Sequence, residues 1–363
     1  MTTRHTSMLA VAGGAALLAT FVGLHRAPDT AFASYLFAYF FWLDVSLGAL
    51  AIHMIQGLTG GRWGDLVRGP FEAAARVLPW LALLAIPLVF GLSDLYPWLR
   101  PDAAHDPVLQ QKSWYLSRGF FLARAAAYFV VWIVLAYRAV LLGATARASA
   151  RRRRANIAGV LLYAVTVTFA SVDWVMSLIP EWYSTTFGLL VGTGQLLVAM
   201  AFGILMATLD ARAPPADRLN DLGNLLLTFV LCWVYIAFTQ YLIIWSGNLP
   251  DGIAWFLPRR AGGYQWVGAA LILFHFAVPF AVLLLRSAKR NAFGLGVVAA
   301  LVLAAHVIDT YWLIVPSVRR AGATLYWTDV TAFIGIGAIW LAAYGARPDR
   351  ERRAHALAME KPA

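Results

Sequence analysis

The chain of 363 residues is 61% hydrophobic and only 13% charged, with a mean hydropathy of +0.69; soluble domains carry about a quarter charged residues, so a water-soluble globule is excluded. Its formal charge of +11 suits basic loops that orient a membrane chain, and nucleic acid is not expected as a partner. One cysteine, Cys232, excludes a disulfide framework within the chain and a cysteine-held iron–sulfur or zinc centre, and no CxxCH string offers covalent haem attachment.

A helix needs about 20 mainly apolar residues to cross a bilayer. That ruler predicts an all-α integral membrane protein with ten spans, near 8–24, 32–57, 71–92, 114–141, 157–179, 185–207, 223–246, 264–286, 293–315 and 326–345. The first stretch is read as a retained helix and not as a signal peptide. Ten spans put both termini on one side. That side carries 19 Lys and Arg against 7 on the other, which predicts cytoplasmic termini, in a bacterium on the inner membrane.

Charged groups in apolar spans are costly and persist where they face a bundle interior. In chain order they are Asp44 and His53 in the second span, Arg118 and Arg124 in the fourth, Asp173 in the fifth, His275 in the eighth, and His306 and Asp309 in the ninth; Asp329 opens the tenth. Gln195 and Gln240 add buried amides. Arg124 and Asp173 lie in the outer halves of consecutive spans, so an ion pair is expected. His306 and Asp309, three apart, share a helix face, where a carboxylate holds the imidazole in one tautomer. Each pair reads either as a lock between helices or as part of a proton path. For haem, only His275 and His306 stand at workable depths, and a core histidine or proton carrier is the preferred reading.

The stretch SVDWVMSLIPEWYSTTFG, 171–188, stops at Pro180 and returns at once to apolar sequence. Glu181, Trp182 and Tyr183 in this turn, and Trp255 in the loop 246–263, are expected to form an outer face for a docking subunit. The glycines of GTGQ (192–195), FGLGVVAA (293–300) and FIGIGAIW (333–340) are expected to let helices approach closely.

Four stretches together, FFWLDVSLGALAIHMIQGLTGGRWG (40–64), TVTFASVDWVMSLIPEWYSTTFG (166–188), DLGNLLLTFVLCWVYIAFTQYLIIWSGNLPDGIAWFLPRR (221–260) and GGYQWVGAALILFHFAVPF (262–280), resemble the NrfD-like/PsrC-like membrane subunits of Alternative Complex III, a bacterial quinol:cytochrome c oxidoreductase. The nearer likeness is to the second of the two such subunits. The resemblance implies two four-helix bundles, 31–180 and 181–318, flanked by an N-terminal helix (1–30) and a last helix (319–345), with a basic cytoplasmic tail (346–363). It implies no redox cofactor in this chain, haem c and iron–sulfur clusters in partner subunits, and quinone as a candidate ligand. The implied partners are an NrfD-like sister subunit, an iron–sulfur protein and a multihaem cytochrome c, besides membrane lipid. Proton conduction or scaffolding is the implied role, with Asp173 and His275 at matching motif positions. Asp44 stands where the pattern has a small residue, and Gln56 and Gly57 stand where it has a histidine, with His53 a turn earlier. The proton-path candidates are thus Asp44, His53, Asp173, His275, His306 and Asp309, with Arg124 tuning Asp173. A stand-alone secondary transporter and a purely structural scaffold are the alternatives.

Overall fold

The structure, a computed structural model, describes residues 3–145, 150–210, 214–319 and 322–346. It is 84% helix, with no strand among the described residues. Ten helices are long and apolar enough to cross a membrane, so the chain is a multi-pass membrane protein. They are α1 (Thr3–Gly23), α2 (Pro28–Thr59), α3 (Gly64–Phe90), α4 (Arg118–Thr145), α5 (Ala150–Trp174), α6 (Phe187–Thr208), α7 (Ala216–Gly247), α8 (Tyr264–Leu284), α9 (Ala292–Val318) and α10 (Trp327–Gly345). The predicted basic tail lies outside the described residues, apart from Ala346.

Backbone groups in lipid must be paired internally, so apolar runs of this length close into helices. Some run past their apolar stretch: α5 begins at Ala150 and takes Arg151 to Arg154 into its first turns. Two are interrupted at prolines. In α3, pieces start at Leu78 and Ile86 with Pro79 and Pro87 in the first turn, where the missing N–H costs nothing. In α8, Pro279 cannot donate to the His275 carbonyl and its ring crowds that group. The backbone there widens into a π-helix over Ile272–Ala277.

The helices α2 to α5 and α6 to α9, the two expected groups, meet along a wide contact in which α2 lies against α6 and α9, and α6 also lies against α3 and α5. Of the apolar window of α2, 94% is buried, against 17% for α7, so α2 lies at the centre of the molecule and α7 leaves most of its surface uncovered by the rest of the chain. Small residues set the close contacts. A Cβ at Gly335 of α10 would lie 2.7 Å from Leu17 of α1, and one at Gly337 would lie 2.4 Å from Trp42 of α2. The same holds for Gly194 and Gly296, whereas Gly192 of GTGQ has open space beside it.

Candidate functional site

Six helices meet around Asp44. Its Oδ1 accepts from Gln195 Nε2 at 2.8 Å, and Gln195 Oε1 accepts from the Tyr163 hydroxyl at 2.7 Å. On the other side, Asp44 Oδ2 lies 3.4 Å from His306 Nε2, and His306 Nδ1 lies 3.6 Å from Asp309 Oδ2. The His275 ring sits 5.6 Å from that of His306 and edge-on to Trp233 at 4.3 Å. All of these polar side chains are buried, His275 completely. Helices α2, α5, α6 and α9 thus supply a line of polar groups, Tyr163–Gln195–Asp44–His306–Asp309, through the apolar interior. The π-turn of α8 holds His275 beside its end: Ile272, Leu273 and Phe274 face outward while His275 is enclosed.

The line is not saturated. Among the described residues, neither ring nitrogen of His275 has a hydrogen-bond partner, nor has His306 Nδ1, since 3.6 Å is too long for a bond. Each unmet buried donor or acceptor costs about 1–3 kcal/mol. Packing alone has no use for such groups.

Two of the expected path residues stand elsewhere. His53 faces Glu72 of α3 at 3.9 Å, and Glu72 also meets Arg76 at 3.8 Å. Asp173 forms the expected ion pair with Arg124: its two oxygens accept from Arg124 Nη2 at 2.8 Å and Nε at 2.9 Å, and Oδ2 also accepts from the Tyr128 hydroxyl at 2.7 Å. Arg124 Nη1 donates to the Tyr115 carbonyl, and the Tyr115 ring lies 3.8 Å from the guanidinium carbon. Burial, and then the charge on Asp173, push the Tyr115 hydroxyl up to about 12, so it stays protonated at neutral pH. Both oxygens of Asp173 are thus engaged.

Two buried arginines at the same end of the bundle have no counterpart in the sequence reading, which counts both as loop charges. Arg319 pairs with Asp329 at 2.7 and 2.9 Å and donates to Ser34 and to the Thr30 carbonyl, so it ties α9, α10 and α2. Arg259 donates to the carbonyls of Trp255, Trp312 and Leu313 and to Ser317. Burial pushes its pKa well below the usual arginine range. The carbonyls that hold it include that of Trp312, which Pro316 cannot serve four residues on. Pro316 in the sequence was the one signal for this plug.

The outer turn also departs from expectation. Trp182 and Trp255 are buried and stack at 5.2 Å, with Trp182 Nε1 donating to the Gly252 carbonyl. They are internal packing and not a docking face. Glu181 and Tyr183 remain exposed. Trp182→Ala is accordingly expected to cost about 3–5 kcal/mol in a denaturant titration of the detergent-solubilised chain. Tyr183→Ala should stay within about 0.5 kcal/mol of the parent. Equal effects would mean that the stack does not hold the outer loops together.

Comparison with known proteins returns no match to a family model and no significant match to a curated protein.

Proposed function

We propose that this chain is a membrane subunit, without a redox cofactor of its own, of a bacterial respiratory quinol:cytochrome c oxidoreductase of the Alternative Complex III type, and that it moves protons through the interior of its bundle. The sequence resemblance motivates the complex. The observation that carries the proton role is the buried line Tyr163–Gln195–Asp44–His306–Asp309, in which neighbouring groups lie 2.7 to 3.6 Å apart across four helices. Hydroxyl, amide, carboxylate and imidazole each accept and donate, or switch between the two, which a proton relay requires. Under this reading the termini are cytoplasmic, the Trp182–Trp255 end faces outward, and Glu181 and Tyr183 are exposed toward peripheral haem c and iron–sulfur subunits. Quinol is oxidised against those partners.

The transporter alternative gains little support. Transporters of repeated architecture interrupt equivalent helices in their two halves. Here the breaks fall in α3, second in its group, and α8, third in its group.

Two measurements test the proposal. Tagged protein extracted in mild detergent should co-purify with large subunits that show a c-type haem spectrum; a haem-free chain running alone would remove the complex. In liposomes, Asp44→Asn should reduce quinol-driven proton release by about 100-fold, the lower range for loss of a proton-transfer group. Undiminished release would take Asp44 out of the path.

A further inference from the structure

Asp44 and Asp309 lie close together in the apolar interior, and the side chains around them are Tyr163, Gln195, Trp233, His275 and His306. No lysine or arginine is among their described polar contacts. Two acids in such a medium are either protonated or held beside positive charge. Three imidazole nitrogens of this cluster have no hydrogen-bond partner among the described residues: both of His275 and Nδ1 of His306. One ligand atom from each of His275, His306 and Asp309 falls within 4.8 Å of the others.

We propose that His275, His306 through Nδ1, and Asp309 bind a divalent first-row transition ion of the zinc class. Two imidazoles and one carboxylate are the donor set such ions take, whereas Mg²⁺ and Ca²⁺ require oxygen shells. Bonds to zinc are about 2.0–2.1 Å long, so the three ligand atoms close in by roughly an ångström on loading. Asp44 completes the arrangement. It faces Nε2 of His306, at 3.4 Å, and a carboxylate on the far nitrogen of a ligating histidine fixes the ring and its tautomer. Gln195 and Tyr163 hold Asp44 in turn. The two carboxylates balance the charge of the ion. Gly194 lets the cluster close, because a Cβ there would lie 3.2 Å from His306 Cε1. The π-turn of α8 brings His275 to the site, and such turns recur at functional positions. The proposal rests on ligand geometry and holds whether or not the respiratory reading does. A bound ion occupies the lone pairs that a proton relay uses, so ion and relay exclude each other in time.

The test is metal content of the purified protein after washing with EDTA, by mass spectrometry, and Co²⁺ titration followed by visible absorption. Wild type should hold about one zinc per chain or develop the cobalt bands of a low-coordinate site. His275→Gln and Asp309→Asn should lower metal content at least tenfold, at the upper end of what ligand-shell changes cost. Asp217→Asn, at an exposed carboxylate, should retain the wild-type content. Wild type that holds no transition metal and binds no Co²⁺ overturns the proposal, even if the variants fail to fold. So does metal that persists in His275→Gln. Loss of haem co-purification bears only on the respiratory reading, and the two failures are therefore distinguishable.

Discussion

Arg124→Met is expected to destabilise the chain by about 3–5 kcal/mol, because it leaves the Asp173 carboxylate buried without its cation. Asp173 is 1% exposed and both of its oxygens bond the guanidinium, so no water replaces the lost partner. Asp173→Leu alone should cost a similar amount by stranding the arginine. The double variant, Arg124→Met with Asp173→Leu, should recover much of the loss, since apolar replacement of a whole buried pair is often neutral or better. Unfolding in mixed detergent micelles measures all three, and the cycle yields the coupling. Additive single effects would show that the pair is not a unit. The same geometry changes the meaning of Asp173→Asn. An amide keeps one accepting oxygen and turns an NH₂ toward the guanidinium, which holds both carboxylate oxygens now, so loss of stability is expected first and loss of turnover only through it.

Gly48→Ala should be the most damaging single methyl group in the protein. A Cβ at Gly48 would lie 1.9 Å from the carbonyl oxygen of Gln195 and 2.5 Å from its carbonyl carbon. These are backbone atoms of α6, so relief requires the two central helices to move apart. The cost is expected to be about 3 kcal/mol or more, the upper range of overpacking. Asp44 and Gly48 are four residues apart and share a helix face. Separating α2 from α6 therefore also breaks the 2.8 Å bond from Gln195 to Asp44. Gly192→Ala, on α6 with open space beside it, is the control and should gain about 0.5–1 kcal/mol from helix propensity. If both variants unfold alike, α2 and α6 are not in the contact described.

Several buried groups were readable before the fold. Asp44, Asp173, His275, His306 and Asp309 stand out because a charge in an apolar run is rare whatever its neighbours. The pair of Arg124 and Asp173 followed from depth on consecutive helices, and that of His306 and Asp309 from helical spacing. The partners of Asp44 did not follow. Gln195 is 151 residues from it and His306 is 262 residues away, and no local pattern links positions on α2, α6 and α9. Trp182 and Trp255 misled for the same reason. An aromatic residue in an outer turn reads as interfacial until a second loop folds over it.

The sequence by itself determined that the chain crosses the membrane, how many times, and which side chains are too polar for their surroundings. Those properties are local: each is settled by some 20 residues and the cost of burying a charge or a bare backbone group. Only the tertiary structure decided that the Tyr128 hydroxyl also closes on Asp173, and that Asp44, His306, Asp309 and His275 converge with three nitrogens lacking a hydrogen-bond partner among the described residues. Which helices touch depends on small residues meeting across them, as Gly48 meets Gln195, and on the π-turn forced at Pro279. Such contacts are cooperative and nonlocal, so the chemistry of the interior emerges only when all ten helices are in place.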